Sequence, residues 1–323
     1  MLWKCLCLFF ISFLFAALLL RPLIALLQKR HLGQRILEIG PSWHKSKEGT
    51  PTMGGSVFLL TVPMFSVVGC LFLEGALSST LLFLLLFSLA NGLIGLLDDR
   101  TKFKKHQNQG LLPWQKLFLQ SLFVGAFFYL LLCFGDGSYD VFLPYVRFYV
   151  PWGLPLLFFF FVAALGILNS ANLSDGVDGL TASSTLIIGA FFIIWGWLFS
   201  TGELLALGLA LSGTMLGFLL YNRHPAKIFM GDTGSLFLGA LAVGAAFLTE
   251  NPAVLPIYTF LFLLEGGSVI LQVLVFKRTG KRLFRMAPLH HHLEKCGWSE
   301  NKIVLIFSFI TLIACLFAHL ALL

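Results

Sequence analysis

Charge is what this sequence has least of. Asp, Glu, Lys and Arg make up 11% of its 323 residues and 58% are hydrophobic, whereas soluble domains carry about a quarter charged residues. So little charge excludes a water-covered globule. The six cysteines (Cys5, Cys7, Cys70, Cys133, Cys296, Cys315) lie mostly in or beside apolar runs and form no CxxC or His/Cys ligand spacing. That excludes a zinc site and a disulfide framework. No loop is long enough to fold as a separate domain, and no internal repeat or low-complexity segment is visible. The first apolar run, Leu6–Leu27, lacks a small-residue cleavage site, has only Lys4 before it and is followed by Lys29, Arg30 and Arg35. It is expected to remain in the mature protein with its N-terminus outside.

What is present is apolar sequence in spanning lengths. Runs fall at Leu6–Leu27, Met53–Leu73, Leu81–Leu97, Gln115–Phe134, Pro151–Leu168, Leu180–Phe199, Leu204–Leu220, Gly234–Thr249, Leu255–Phe276 and Ile303–Leu322. The expected fold is an all-α integral membrane protein of ten transmembrane helices, with residues 1–323 forming one polytopic domain. If loops alternate across the membrane, one side holds eighteen lysines and arginines. The other holds Lys4 and Arg147, with Arg21 and Lys116 near helix ends. Basic loops face the cytoplasm, so both termini are expected outside.

Asp98, Asp99, Asp175, Asp178 and Asp232 all fall on the basic side. An Asp at the bilayer centre costs roughly 2.5–3.5 kcal/mol, so these five are expected at helix ends, converging on one cytoplasmic cleft. The stretch Asn91–His106 shows the change most sharply. An apolar run gives way to Asp98-Asp99 and then to Arg100, Lys102, Lys104 and Lys105. Such a pair can hold Mg²⁺ together with phosphate oxygens, or simply be a solvated helix end.

Four further stretches carry polar chemistry. In Asn172-Leu-Ser-Asp175-Gly-Val-Asp178-Gly179 the polar residues recur every third position, as if on one side of a helical turn, in an inner loop with no Lys or Arg. In Asn222–Ser235, residues Asp232, Thr233 and Ser235 stand where a helix cap belongs, either simply as that cap or with the helix N–H groups at a phosphate, and Phe229 before them suits membrane packing or stacking on a base. His290, His291 and His292 are consecutive, so they cannot share one helical face and suit hydrogen bonding to phosphate or sugar better than zinc. His44, Lys47 and Thr52 precede the Gly54-Gly55 entry to the second run. Glu265, inside the ninth run, is read as a neutral structural hydrogen-bond donor near the outer third of the membrane.

Together, Gly49–Gly55, Asp98-Asp99-x-x-Lys102, Asn172–Gly179, Phe229–Ser235 and Ala287–Glu294 resemble, in order, the motifs of the polyprenyl-phosphate N-acetylhexosamine-1-phosphate transferase superfamily. Within it they resemble the branch with a muramoyl-pentapeptide donor. The resemblance implies Mg²⁺-dependent transfer of phospho-MurNAc-pentapeptide from UDP-MurNAc-pentapeptide to undecaprenyl phosphate, giving lipid I and UMP. It implies a homodimer in the lipid bilayer of the bacterial inner membrane, with a cytoplasmic active site and no nucleic-acid partner. By motif, Asp232 is the implied Mg²⁺ ligand. Asp98, Asp99, Asp232, Lys102 and His290 are the implied catalytic set, and His44, Lys47, Thr52, Asn172, Asp175, Asp178, Asn222, Phe229, His291 and His292 line the substrate pocket. A second lysine is implied beyond the acidic pair, with Lys105 and His106 as candidates. The competing readings are a sister enzyme using UDP-GlcNAc and a secondary transporter.

Overall fold

The computed structural model describes residues 1–30, 47, 49–104, 110–135, 140–143, 148–151, 153–249 and 251–322. Among them, ten helices are long and apolar enough to cross a membrane, as the apolar runs predicted. They are α1 (Leu2–Lys29), α2 (Ser56–Leu73), α3 (Ser79–Lys104), α4 (Pro113–Phe134), α5 (Leu154–Ser174), α6 (Leu180–Leu198), α7 (Gly202–Asn222), α8 (Gly231–Ala245, which reaches spanning length with the 3-10 turn Ala246–Leu248), α10 (Phe260–Thr279) and α12 (Glu300–Leu322). Two short helices, α9 (Leu255–Tyr258) and α11 (Leu289–Lys295), flank α10. An antiparallel pair, β1 (Val141–Leu143) and β2 (Phe148–Val150), joins α4 to α5 with Val141 opposite Val150.

Two helices form the centre. Every residue of α8 from Thr233 to Ala245 is buried, as is most of α7. Helix α8 packs on α3 and α5, and α7 packs on α6, α1 and α2. Outward-facing side chains such as Leu18, Phe158, Leu305 and Phe309 stay exposed. So large an apolar exterior belongs against lipid.

Small residues set the closest helix contacts, as membrane packing favours. A Cβ at Gly95 of α3 would stand 2.2 Å from the Asp232 carbonyl oxygen, and one at Gly55 would stand 2.2 Å from Gly234 Cα. Helices α3 and α8 therefore meet backbone to backbone at the end that carries the aspartates. At the opposite end, Glu74 at the end of α2 accepts from Gly202 N at the start of α7, and Glu203 of α7 accepts from Ser78 N at 2.6 Å. Ser78 Oγ in turn accepts from Leu81 N at 3.0 Å, capping α3.

Three boundaries differ from expectation. Helix α3 runs on to Lys104, past the Leu97 end of its apolar run, so Asp98 and Asp99 lie on its last turns, at the helix end as expected, and Lys102 falls one turn after Asp98. The ninth span is broken: α9 stops at Tyr258, whose hydroxyl donates to Ala242 O, and α10 begins at Phe260. Thirdly, α5 ends at Ser174, so Asn172, Asp175 and Asp178 do not share a helical face. Gly179 sits at φ +79° and a Cβ at Gly176 would lie 2.2 Å from His290 Nε2. The chain turns there, where glycine alone fits.

The α3–α8 contact yields a first test. Gly95→Ala overpacks the contact, at a cost of about 1–3 kcal/mol. It should lower the thermal midpoint in detergent, read by tryptophan fluorescence, whereas Gly166→Ala, where nothing lies within 4 Å of a Cβ, should not.

Candidate active site

The site begins with Asp98 and Asp99 on the last turns of α3 and Asp232 on the first turn of α8. One carboxylate oxygen from each lies within 4.8 Å of the others. Asp98 and Asp99 are almost fully buried. Three carboxylates so close need positive charge, and two lysines supply it. Lys102 Nζ lies 2.7 Å from Asp98 Oδ2 and 3.2 Å from Asp232 Oδ2, and Lys116 Nζ lies 2.7 Å from the same Asp232 oxygen. The cluster retains one more carboxylate than lysine, and its hard oxygen donors are those Mg²⁺ takes. The residues present therefore fit a divalent cation.

Lys116 was not among the sequence candidates. It stands on the first turn of α4, at the aspartate end of the bundle. A lysine beside a helix N-terminus opposes the helix dipole, which was the available signal. Lys105, His106 and His44 lie outside the described residues.

The start of α8 is already capped, the first of the two readings of that stretch, and the cap comes from Asp99 of α3. Asp99 Oδ2 accepts from Thr233 N at 3.0 Å and Thr233 Oγ1 at 2.7 Å, and Asp99 Oδ1 accepts from Asp232 N at 3.3 Å. The backbone contact at Gly95 leaves the carboxylate of α3 as the anion at that helix end. Asp98 Oδ1 accepts from Leu111 N at 2.8 Å. Asn172 spans the cluster: its Nδ2 donates to Asp232 Oδ1 at 3.0 Å and Ser235 Oγ at 2.8 Å, and its Oδ1 accepts from Lys116.

A second group forms where the α5–α6 turn meets the α7–α8 loop. Lys47 Nζ lies 2.7 Å from both Asp178 Oδ1 and Glu300 Oε2, and His224 Nδ1 lies 3.1 Å from Asp178 Oδ2. Buried Asn222 is a strut, accepting from Gly179 N and donating to Ile228 O. The chain after Lys47 pairs with the start of α8: Phe229 N donates to Pro51 O, Gly54 N to Phe229 O and Gly55 N to Met230 O. This pairing brings Thr52 to Gly231, where a Cβ would meet Thr52 Oγ1 at 2.8 Å and Asp99 Oδ2 at 2.6 Å. Phe229 is partly buried in the same segment.

Asp175 lies electrostatically between the two groups. Burial and then the charges of Asp232, Asp99 and Asp178 push its pKa up to about 8, with Lys47 opposing. The histidines diverge as expected. His290 is fully buried, its Nδ1 3.2 Å from Glu265 Oε2 and its Nε2 against Gly176. His291 Nδ1 is 2.6 Å from Glu294, and His292 Nδ1 accepts from Arg285 N.

Glu265 corrects its sequence reading. It is an acceptor, taking Leu289 N at 2.8 Å and His290 N at 3.3 Å, and so caps α11. The break at Thr259 and the contact of neighbouring Gly266 with Ser170 put it at the level of the last turns of α5, not near the far end.

Residues 81–250 match the family described as Glycosyl transferase family 4. The chain is 44% identical over 300 residues to a phospho-N-acetylmuramoyl-pentapeptide-transferase of Carboxydothermus hydrogenoformans, covering 91% of each. It is 40% identical to that of Clostridium acetobutylicum, covering 97% of each. The chain belongs to the phospho-N-acetylmuramoyl-pentapeptide-transferase family. It is also 38% identical over 318 residues to the Clostridium perfringens member, covering 97% of this chain and 96% of that one. The match to family 4 takes in Asp98, Asp99, Lys102, Lys116, Asn172, Asp175, Asp178 and Asp232, and ends before Glu265 and the histidines.

The raised pKa of Asp175 has a signed consequence. An acid whose folded pKa lies above its ordinary 3.8 binds more protons folded than unfolded, so its contribution favours folding at low pH and is lost as pH rises. Without divalent cation, the thermal midpoint of Asp175→Asn should gain on wild type as pH rises from about 4 and level off above about 8. A pH-independent difference would contradict the assignment.

Proposed function

We propose that the protein transfers phospho-MurNAc-pentapeptide from UDP-MurNAc-pentapeptide to undecaprenyl phosphate, producing lipid I and UMP in peptidoglycan synthesis. Near-full-length kinship with enzymes of that name carries the reading. The cluster of Asp98, Asp99 and Asp232 with Lys102 and Lys116, at the ends of spanning helices, supports it physically. A polyprenyl chain gains about 0.8 kcal/mol per buried CH₂, so its phosphate must be met at the membrane surface, where such helix ends lie.

Asp232 would hold Mg²⁺, with Asp98 beside it, while Asp99 is bonded to the N–H groups at the start of α8. A bound Mg²⁺ supplies charge neutralisation for the phosphates. Lys102 and Lys116, each held by a carboxylate, neutralise the remaining phosphate charge and keep the two reacting phosphates close. The second pKa of a phosphate monoester is about 6, so the acceptor is largely a dianion at neutral pH. Asp98 accordingly orients Lys102, with base action secondary. Asn172 fixes Asp232 and Lys116. Lys47, Thr52, Asp175, Asp178, Asn222, Phe229 and the histidine helix line the donor side. One pyrophosphate linkage replaces another, so the reaction lies near balance and UMP reverses it.

In this reading the site faces the cytoplasm, both termini lie outside and the enzyme is a homodimer in the bacterial inner membrane. The distribution of lysine and arginine supports the orientation.

Purified protein with Mg²⁺ and undecaprenyl phosphate should release UMP from UDP-MurNAc-pentapeptide and not from UDP-GlcNAc, and Asp232→Asn should abolish release. Release from UDP-GlcNAc alone would overturn the donor, and release from neither would overturn the reaction. Lys116→Met, similar in length but uncharged, should lower kcat about a hundredfold in the same assay. An unchanged kcat would remove Lys116 from the phosphate site.

A further inference from the structure

Glu300 belongs to none of the motifs read from the sequence, yet it closes the second charged group. It is the first residue of α12, where the helix dipole favours a carboxylate. Its Oε2 lies 2.7 Å from Lys47 Nζ, 253 positions away, and accepts from Asp178 N at 3.1 Å. Its Oε1 lies 3.6 Å from His224 Nδ1. Its side chain is 12% exposed and that of Asp178 only 2%. Beneath them Val177, Leu180, Leu261, Ile303 and Phe307 form a small apolar core, separate from the main one. The first turn of α12 is thereby packed as well as hydrogen-bonded to the α5–α6 turn.

An ammonium has three N–H donors. Asp178 and Glu300 take two from Lys47, and two fixed acceptors leave the third with one direction. Without Glu300 the ammonium would pivot about Asp178 alone. Pro51, Gly54 and Gly55 are pinned by backbone bonds to Phe229 and Met230, and Thr50 N donates to Lys47 O at 3.1 Å, which ties Lys47 to the segment that carries Thr52. We infer that Glu300 is a positioning residue for the nucleotide-sugar donor: it aims the third proton of Lys47 at an anionic or carbonyl oxygen of the donor, while leaving the lipid acceptor untouched. The inference rests on the transfer reaction proposed above.

The test is a steady-state split on the full-length enzyme in detergent and lipid. In Glu300→Gln the donor KM should rise about tenfold, the factor one charge-assisted hydrogen bond supplies, with kcat and acceptor KM within about twofold of wild type. Lys47→Ala combined with Glu300→Gln should be no worse in donor KM than Lys47→Ala alone, because Glu300 acts through Lys47. If Glu300→Gln is recovered poorly, Glu300→Asp keeps the charge on a shorter arm and should show the same split. An unchanged donor KM, a parallel loss in kcat and acceptor KM, or multiplying effects in the double variant would overturn the role of Glu300. A wild-type enzyme that releases no UMP would overturn the transfer reaction and the inference with it.

Discussion

The backbone contact between α3 and α8 is the constraint on which the site depends. Only glycine at position 95 lets the α3 backbone reach the Asp232 carbonyl. That approach puts Asp99 at the first N–H groups of α8, where the helix dipole and two backbone donors compensate a nearly buried carboxylate. With Asp99 fixed, Asp98 turns to Lys102 and the next loop, and Asp232 faces both lysines. The acidic pair is thus not two equal ligands. One carboxylate builds the helix junction and the other addresses the charge beside it.

Both polar groups at this end hold one more carboxylate than lysine, Asp98, Asp99 and Asp232 against Lys102 and Lys116, and Asp178 and Glu300 against Lys47. Asp175, between them, feels the surplus from both sides, which with its burial raises its pKa. Such a surplus among the described side chains is what lets these groups accept a cation, even though each side chain has partners. Burial of Asp98, Asp99 and Asp178 within the protein sharpens the imbalance, because charges in a low-dielectric surrounding are screened little.

The helices were legible because apolar runs of spanning length have few alternatives in a chain with so little charge. The motif aspartates were also legible, since an acid is costly at the bilayer centre and five of them on one side of the membrane are conspicuous. Contacts between distant segments were not. Lys116 looked like an ordinary helix-end lysine and Glu300 fell in no motif, until folding brought Lys116 to Asp232 and Glu300 to Lys47, each partner more than a hundred residues away. Periodicity misled at Asn172, Asp175 and Asp178, because the contact of Gly176 with His290 ends the helix and sends Asn172 and Asp178 to different groups. Glu265 was misplaced because hydropathy does not register the break at Thr259 in an apolar run.

At the far end of the bundle, Glu74 serves the start of α7 while Glu203, from that start, serves the cap of α3. Each loop supplies what the other lacks, so the α2–α3 and α6–α7 connections form a single inherited unit. Grafting either loop from a relative without its counterpart would leave a carboxylate without its backbone partner or an uncapped helix, and viable chimaeras must exchange both together.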